Sequence, residues 1–175
     1  MVLKHIYLLI VSVCLLTFGL PEKIQKKVFK EIENTYDVEE FEFQSFPIDQ
    51  TVTKSLPSNF KEDHFFEIKS AGKKIGYAYV AKAPSKTAQF DYLILLDPNL
   101  VVKKAKVLIY REEYGGEIGS KRWLKQFIGK TPKDELIYQK DIVAIAGATI
   151  SVRSMTSAVN DLLASLEVLK SKNIL

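Results

Sequence analysis

Apolar residues recur along this chain in three rhythms, and each predicts a different kind of element. From Glu22 to Tyr36, Ile24, Val28, Ile32 and Tyr36 fall four apart between Lys and Glu residues. That spacing makes one apolar stripe on a helix, either a stalk or the first helix of a domain. From Phe65 to Tyr110 the pattern turns to short runs rich in Phe, Tyr, Val, Leu and Ile. Phe65–Lys69 and Ile75–Val80 flank a Gly-containing turn over Ser70–Lys74, which reads as a hairpin. Gln89–Leu96 and Val101–Tyr110 follow as two more strands, joined by Asp97-Pro98-Asn99, where Pro presets φ and the flanking side chains bond their own backbone. No connection is long enough for a parallel crossover, so the strands form an antiparallel meander. From Ser151 onward the helical rhythm returns: Val152, Met155, Val159, Leu162, Leu163, Leu166 and Leu169 mark a helix of about five turns.

The intervening segments lack such periods. Asp37–Phe60, with Pro47 and Pro57, reads as loop with one short strand around Glu40–Phe43. Arg111–Gly119 is a loop with three glycines in its last five residues. Ser120 is placed to cap a short helix over Lys121–Ile128, whose apolar side is Trp123, Leu124 and Phe127. Ile142–Ile145 is a short apolar run. The expected class is α+β: an antiparallel sheet packed against the long C-terminal helix and a short helix, with an N-terminal membrane segment. The expected organisation is 1–21 signal anchor or signal peptide, 22–62 helical stalk and linker, and 63–175 one domain.

The N-terminal segment changes the picture most. Ile6–Leu20 reads IYLLIVSVCLLTFGL, without a charge and preceded by Lys4. Val2–Leu20 gives about 19 residues, close to the ~20 that cross a bilayer. Thr17-Phe18-Gly19 is a poor match to a small-x-small cleavage site, which favours an uncleaved anchor over a cleaved signal. Cys14 follows Val13 rather than a small residue, so it reads as apolar filler. Lys23, Lys26, Lys27 and Lys30 follow the apolar stretch, and loop charge alone would leave the domain in the cytoplasm.

Composition excludes more than it selects. The 175 residues are 47% hydrophobic and 26% charged, an ordinary globular balance. The net charge of +4 is spread along the chain, so no nucleic-acid partner is expected. One Cys and two His rule out an internal disulfide and argue against a Cys/His metal site.

The candidate chemistry sits at Ala144-Ile145-Ala146-Gly147-Ala148-Thr149-Ile150-Ser151, small residues and hydroxyls running into the last helix. Unpaired N–H groups and the positive end of the helix dipole make such a start fit for a phosphate. The plain alternative is a helix start capped by Ser151 or Thr149, with Gly147 as a turn residue. A Thr hydroxyl is a poor nucleophile without a base, and none is adjacent in sequence. In the upstream loop, Gly115 and Gly116 allow close backbone approach to a flat ring. Arg111 is a candidate for a phosphate or a flavin carbonyl, or for a structural pair with Glu117. Trp123 would wall a flat ring or belong to the core. Glu112 and Glu117 read as loop-fixing more than ligand-contacting.

The 144–151 segment resembles the flavin-attachment segment of the FMN-binding domain family, which includes the C subunit of the sodium-pumping NADH:quinone oxidoreductase and the G subunit of a related ferredoxin-dependent complex. Tyr110-Arg111-Glu112-Glu113-Tyr114-Gly115-Gly116-Glu117-Ile118, with Arg122-Trp123-Leu124-Lys125-Gln126-Phe127 behind it, is similar to the Arg-Glu…Gly-Glu loop and Trp, Gln-Phe run of single-domain members. The resemblance covers roughly residues 63–170. It implies FMN as cofactor, linked as a phosphoester to Thr149 by a separate flavin transferase outside the cytoplasm. It also implies Gly147, Ala148, Ser151, Arg111, Glu112, Gly116, Glu117 and Trp123 as the cofactor's surroundings, and no metal.

Two positions depart from the family pattern: Ala146 where Ser or Thr is usual, and Val143 where an Asp stands six residues before the attachment Thr. The resemblance decides the orientation in favour of a domain outside the cytoplasm, on the periplasmic side. The implied function is electron carriage within a membrane redox chain, with membrane redox proteins and the membrane itself as partners; no dinucleotide fingerprint marks a second substrate. The alternative is a non-flavinylated accessory or binding module. A hydrolase using Ser151 or Thr149 is weak, because the two His are His5, in the N-terminal segment, and His64.

Overall fold

The computed structural model describes residues 19–61 and 63–175. The anchor expected over 1–21, with Cys14 and His5, thus falls almost wholly outside the described residues. Among the described residues no helix is long and apolar enough to cross a membrane.

Five strands form one antiparallel sheet in sequence order: β1 (Glu42–Ser45), β2 (Phe65–Ser70), β3 (Lys73–Pro84), β4 (Gln89–Leu96) and β5 (Val102–Ile109). The expected meander is therefore present, with β1 added at its edge. The β2–β3 turn is tighter than the sequence suggested. Ala71 and Gly72 both take positive φ, 48° and 72°, the geometry that two-residue hairpin turns require. At the β4–β5 turn, Asp97 Oδ1 accepts from Asn99 N at 2.8 Å and Val101 N at 2.9 Å.

Strand alternation gives the sheet two buried faces. Tyr77, Tyr79, Phe90, Tyr92, Ile94 and Val107 point to one, where α4 (Thr149–Ser171) and α3 (Lys121–Leu124) cover them. Phe66, Ile68, Ala78, Val80, Leu93 and Leu95 point to the other, under α1 (Glu22–Tyr36). Residues 22–36 are therefore a helix of the domain and not a free stalk. The cause is the stripe itself: Ile24, Val28 and Ile32 are all buried, worth roughly 5–9 kcal/mol of gross apolar burial. Polar contacts fix the seat. Glu31 reaches Lys106 at 3.0 Å, and Tyr36 Oη donates to Leu96 O at 2.7 Å. Gly76 makes this approach possible, since a Cβ there would lie 2.2 Å from Leu96 O.

The linker expected over 37–62 is likewise built in. It holds β1, shifted two residues from the predicted strand, and a one-turn helix, α2 (Gln50–Thr53), capped by Asp49 through Thr51 N at 2.7 Å. The Ile142–Ile145 run forms no strand; Ile142 makes a single bridge to Tyr138.

Candidate functional site

The last helix starts at Thr149, two residues earlier than its apolar rhythm suggested, with Ala148 as N-cap. No side chain caps it, so the expected hydroxyl cap from Ser151 or Thr149 is absent. The reason is where those hydroxyls go. Ser151, buried, shares a hydrogen bond of 3.0 Å with Tyr110 Oη at the end of β5. Thr149 already lies inside the helix at its first position, with its side chain exposed. Val152 N is the first amide in the ladder, 2.9 Å from Ala148 O. The amides of Thr149, Ile150 and Ser151 precede it and are left for solvent or a ligand. Alanine is among the poorest N-caps, so this start trades stability for open donors. The Thr149 hydroxyl makes no hydrogen bond among the described residues, and no base stands on it.

The entry to that helix is clamped. Val143 N donates to Gln126 Oε1 at 2.8 Å, and Val143 O accepts from Trp123 Nε1 at 2.8 Å. Gln126 is held in turn by donating to Trp123 O at 2.8 Å. Trp123 is buried, edge-on to Phe127 at 5.2 Å. Its indole is thus a core group that positions the segment leading into the last helix, and its faces are not offered to a ring at the surface. Ser120 Oγ caps α3 by accepting from Trp123 N at 3.2 Å, as its place in the sequence implied.

The upstream loop meets the helix start at one point. Gly115 has φ +74° and lies so close that a Cβ on it would stand 2.4 Å from the Ala148 Cβ. Only glycine fits there. Of the two glycines singled out in the sequence, Gly116 faces open space, with nothing within 4 Å of its Cβ position; the close approach belongs to Gly115. Gly147 takes φ +76°, and its Cβ position is 3.9 Å from Tyr114 Cβ.

Arg111 and Glu112 are turned away from this meeting point. Arg111 Nη2 pairs with Asp91 Oδ2 at 2.6 Å, and Nη1 donates to Gln89 O at 2.6 Å. The Asp91 contact is one of charges, because that oxygen has no aligned donor. Asp91 alternates with Leu93 and Leu95 on the α1 side of the sheet, opposite α4. Arg111 is therefore a structural cation on the far face and pairs with Asp91 instead of Glu117. Glu112 Oε1 accepts from Ser85 Oγ at 2.5 Å, Thr87 N at 2.7 Å and Ala88 N at 3.2 Å, and Oε2 from Thr87 Oγ1 at 2.9 Å. The Ser85 hydroxyl and these amides hold its carboxyl down to about 2. It fixes the β3–β4 connection, in keeping with the loop-fixing role read from sequence. Glu117 is exposed within a short 3-10 turn over Gly116–Gly119.

One cation near the helix start escaped the sequence reading. Arg153 lies four residues after Thr149, on the same helix face, and helical side chains lean toward the N-terminus. Its guanidinium sits 4.9 Å from the Tyr138 ring centre, with no acid partner among the described residues. The i+4 spacing was the available signal. The residues present thus fit a phosphate at Thr149: three open amides, one cation and an accessible hydroxyl. The large groove of about 1220 Å³ lies elsewhere, between β1 and the 46–63 segment. Ser58 N, in that segment, bonds Ser165 Oγ at 2.9 Å, about 24 Å along the helix from Thr149. Among the described residues no cluster of His, Cys, Asp or Glu could hold a metal.

Comparison with known proteins agrees with this geometry. No curated protein matches the chain. The fold is similar to that in the crystal structure of Shewanella oneidensis NqrC, with a TM-score of 0.58 and 14% identity, over 85% of this chain and 99% of that one. The FMN-binding domain family matches residues 87–164, a range that holds β4, β5, the Gly115 loop, the Trp123 clamp and the start of α4. Over these residues the chain is similar to the FMN-binding domain family, and that match indicates FMN as the cofactor.

Proposed function

We propose that the protein is an electron carrier holding FMN through a phosphoester on the Thr149 hydroxyl, outside the cytoplasm, as a partner of membrane redox proteins. The observation that carries this reading is the accessible Thr149 hydroxyl above three open amides, inside the FMN-binding match. A phosphodiester there keeps one negative charge, which the amides of Thr149–Ser151, the helix dipole and Arg153 stabilise. Trp123 and Gln126 hold the segment's backbone at Val143, and Gly115 seats the neighbouring loop on Ala148. Bound FMN supplies one- or two-electron transfer, while the protein fixes its place and tunes it.

The site has no base for Thr149, which fits attachment by a separate flavin transferase. Joining free FMN to a hydroxyl would have to expel water, so the donor must be an activated, pyrophosphate-linked flavin. Thr149 would supply the hydroxyl oxygen of the phosphoester, displacing AMP from the broken pyrophosphate P–O bond, and would give up its proton to a base of the transferase. The apolar Ile6–Leu20 stretch supports anchoring to a membrane, and an extracytoplasmic transferase supports export of the domain.

Intact-mass spectrometry after co-expression with a flavin transferase tests the linkage. The wild type and Thr149→Ser gain the mass of FMN less water, and Thr149→Ala does not. The departures at Ala146 and Val143 favour a second reading, an accessory module without covalent flavin. A colourless wild type without added mass would select it and reject the carrier. Protease treatment of intact cells tests the location: digestion from outside supports export, and protection rejects it.

A further inference from the structure

Among the described residues, the large apolar side chains left in solvent are Tyr114, Ile128, Ile137, Val143 and Ile150, and Tyr114 is the most exposed at 76%. It is also the one aromatic ring among them. Its place is not accidental. The next residue, Gly115, is pressed onto Ala148, and Tyr114 Cβ lies beside Gly147. The root of the side chain is therefore fixed against the segment that ends in Thr149, while the ring stands free beyond it. An exposed Tyr forgoes the burial that the aromatic rings of the sheet obtain, so its ring is free to pack on a bound ligand.

We propose that the Tyr114 ring is the face on which the isoalloxazine of Thr149-linked FMN stacks. The inference rests on the reading that Thr149 carries FMN. With the phosphate held at the helix start, the ribityl chain would lead the ring toward Tyr114, whose Cβ lies beside Gly147, two residues before Thr149. The tether keeps the flavin at high effective concentration near that ring, so even a weak aromatic contact is populated. Stacking on Tyr114 would cover one face of the flavin and leave the other open to an electron-transfer partner. It assigns Tyr114 the role first considered for Trp123, whose ring is buried.

The test compares wild type, Tyr114→Phe and Tyr114→Leu, each co-expressed with the transferase and matched for covalent flavin by intact mass. A phenol in contact with a photoexcited flavin reduces it before it emits, whereas Phe stacks but is too hard to oxidise. Wild type should be weakly fluorescent. Tyr114→Leu should be several-fold brighter, with the stacked flavin's red-shifted absorption lost. Tyr114→Phe should keep the red shift and lose the quenching. A Tyr114→Leu protein as dim as wild type with an unchanged absorption band overturns the stacking while leaving the linkage intact. Absence of added mass in all three overturns the linkage, and the stacking with it. Because the side chain is exposed, equal melting temperatures should accompany every variant.

Discussion

Replacing Gly115 by alanine tests how the site is held together. Gly115 sits at φ +74°, and its new Cβ would meet the Ala148 Cβ at 2.4 Å, Ala148 Cα at 3.1 Å and Ala148 N at 3.3 Å. The left-handed backbone costs a non-glycine residue about 1–2 kcal/mol. The clash adds roughly 1–3 kcal/mol, because the atom met is a methyl rooted on the backbone and cannot swing aside. The sum is about 2–5 kcal/mol, which for a chain of this size lowers the melting temperature by roughly 4–20 °C. Gly116→Ala is the matched control: nothing lies within 4 Å of its Cβ position, so its effect should stay within about 0.5 kcal/mol. The double variant Gly115→Ala, Ala148→Gly removes the closest contact but not the backbone strain. It should recover part of the loss. Thermal unfolding followed by circular dichroism reads all four proteins, and the rate of flavin attachment should fall with Gly115→Ala because the loop is pushed off the helix start. A Gly115→Ala protein melting within about 1 °C of wild type, or Gly116→Ala proving the more harmful, would refute the reasoning.

Two further substitutions separate structural from ligand-facing roles. Glu112 has its folded pKa held at about 2, below the ordinary 4.5, so its stabilising hydrogen bonds are present above the ordinary value and are lost as pH falls toward 2. Glu112→Gln should flatten the acid side of the melting-temperature profile across that window, and an unchanged slope would count against the assignment. Arg111→Gln strands the buried Asp91 carboxylate; because Arg111 is 41% exposed, the cost should be about 1–3 kcal/mol rather than that of a fully buried pair. Its covalent flavin content should remain that of wild type, and a loss of attachment without loss of stability would return Arg111 to the cofactor site.

The local elements were legible because local rules made them. The apolar runs gave β2, β4 and β5 within a residue, while β3 continues to Pro84, four residues past the expected Val80, and the Ser120 cap and the Asp97 turn behaved as their side chains dictate. The helix starting near Ser151 was legible from its apolar stripe, but its cap was not. Whether a hydroxyl caps a helix depends on what else it can bond, and Tyr110 Oη, 41 residues away in the chain, claims Ser151. The same limit explains Arg111. An Arg two residues after a strand shows no sheet face in sequence; the β4–β5 register and Asp91 decide that it turns toward α1.

The sequence alone determined the main helices and strands, the antiparallel order and the small-residue segment ending in Thr149, since these follow from side-chain period and from residue types that few backbones require. Tertiary structure alone decided that residues 22–36 pack on the sheet, that Trp123 clamps the segment from the core, and that Gly115 rather than Gly116 makes the close approach. It also left Tyr114, and not Trp123, as the ring at the surface. These are contacts between residues distant in the chain. They are set by which groups compete for the same space and the same hydrogen bonds once the layers close.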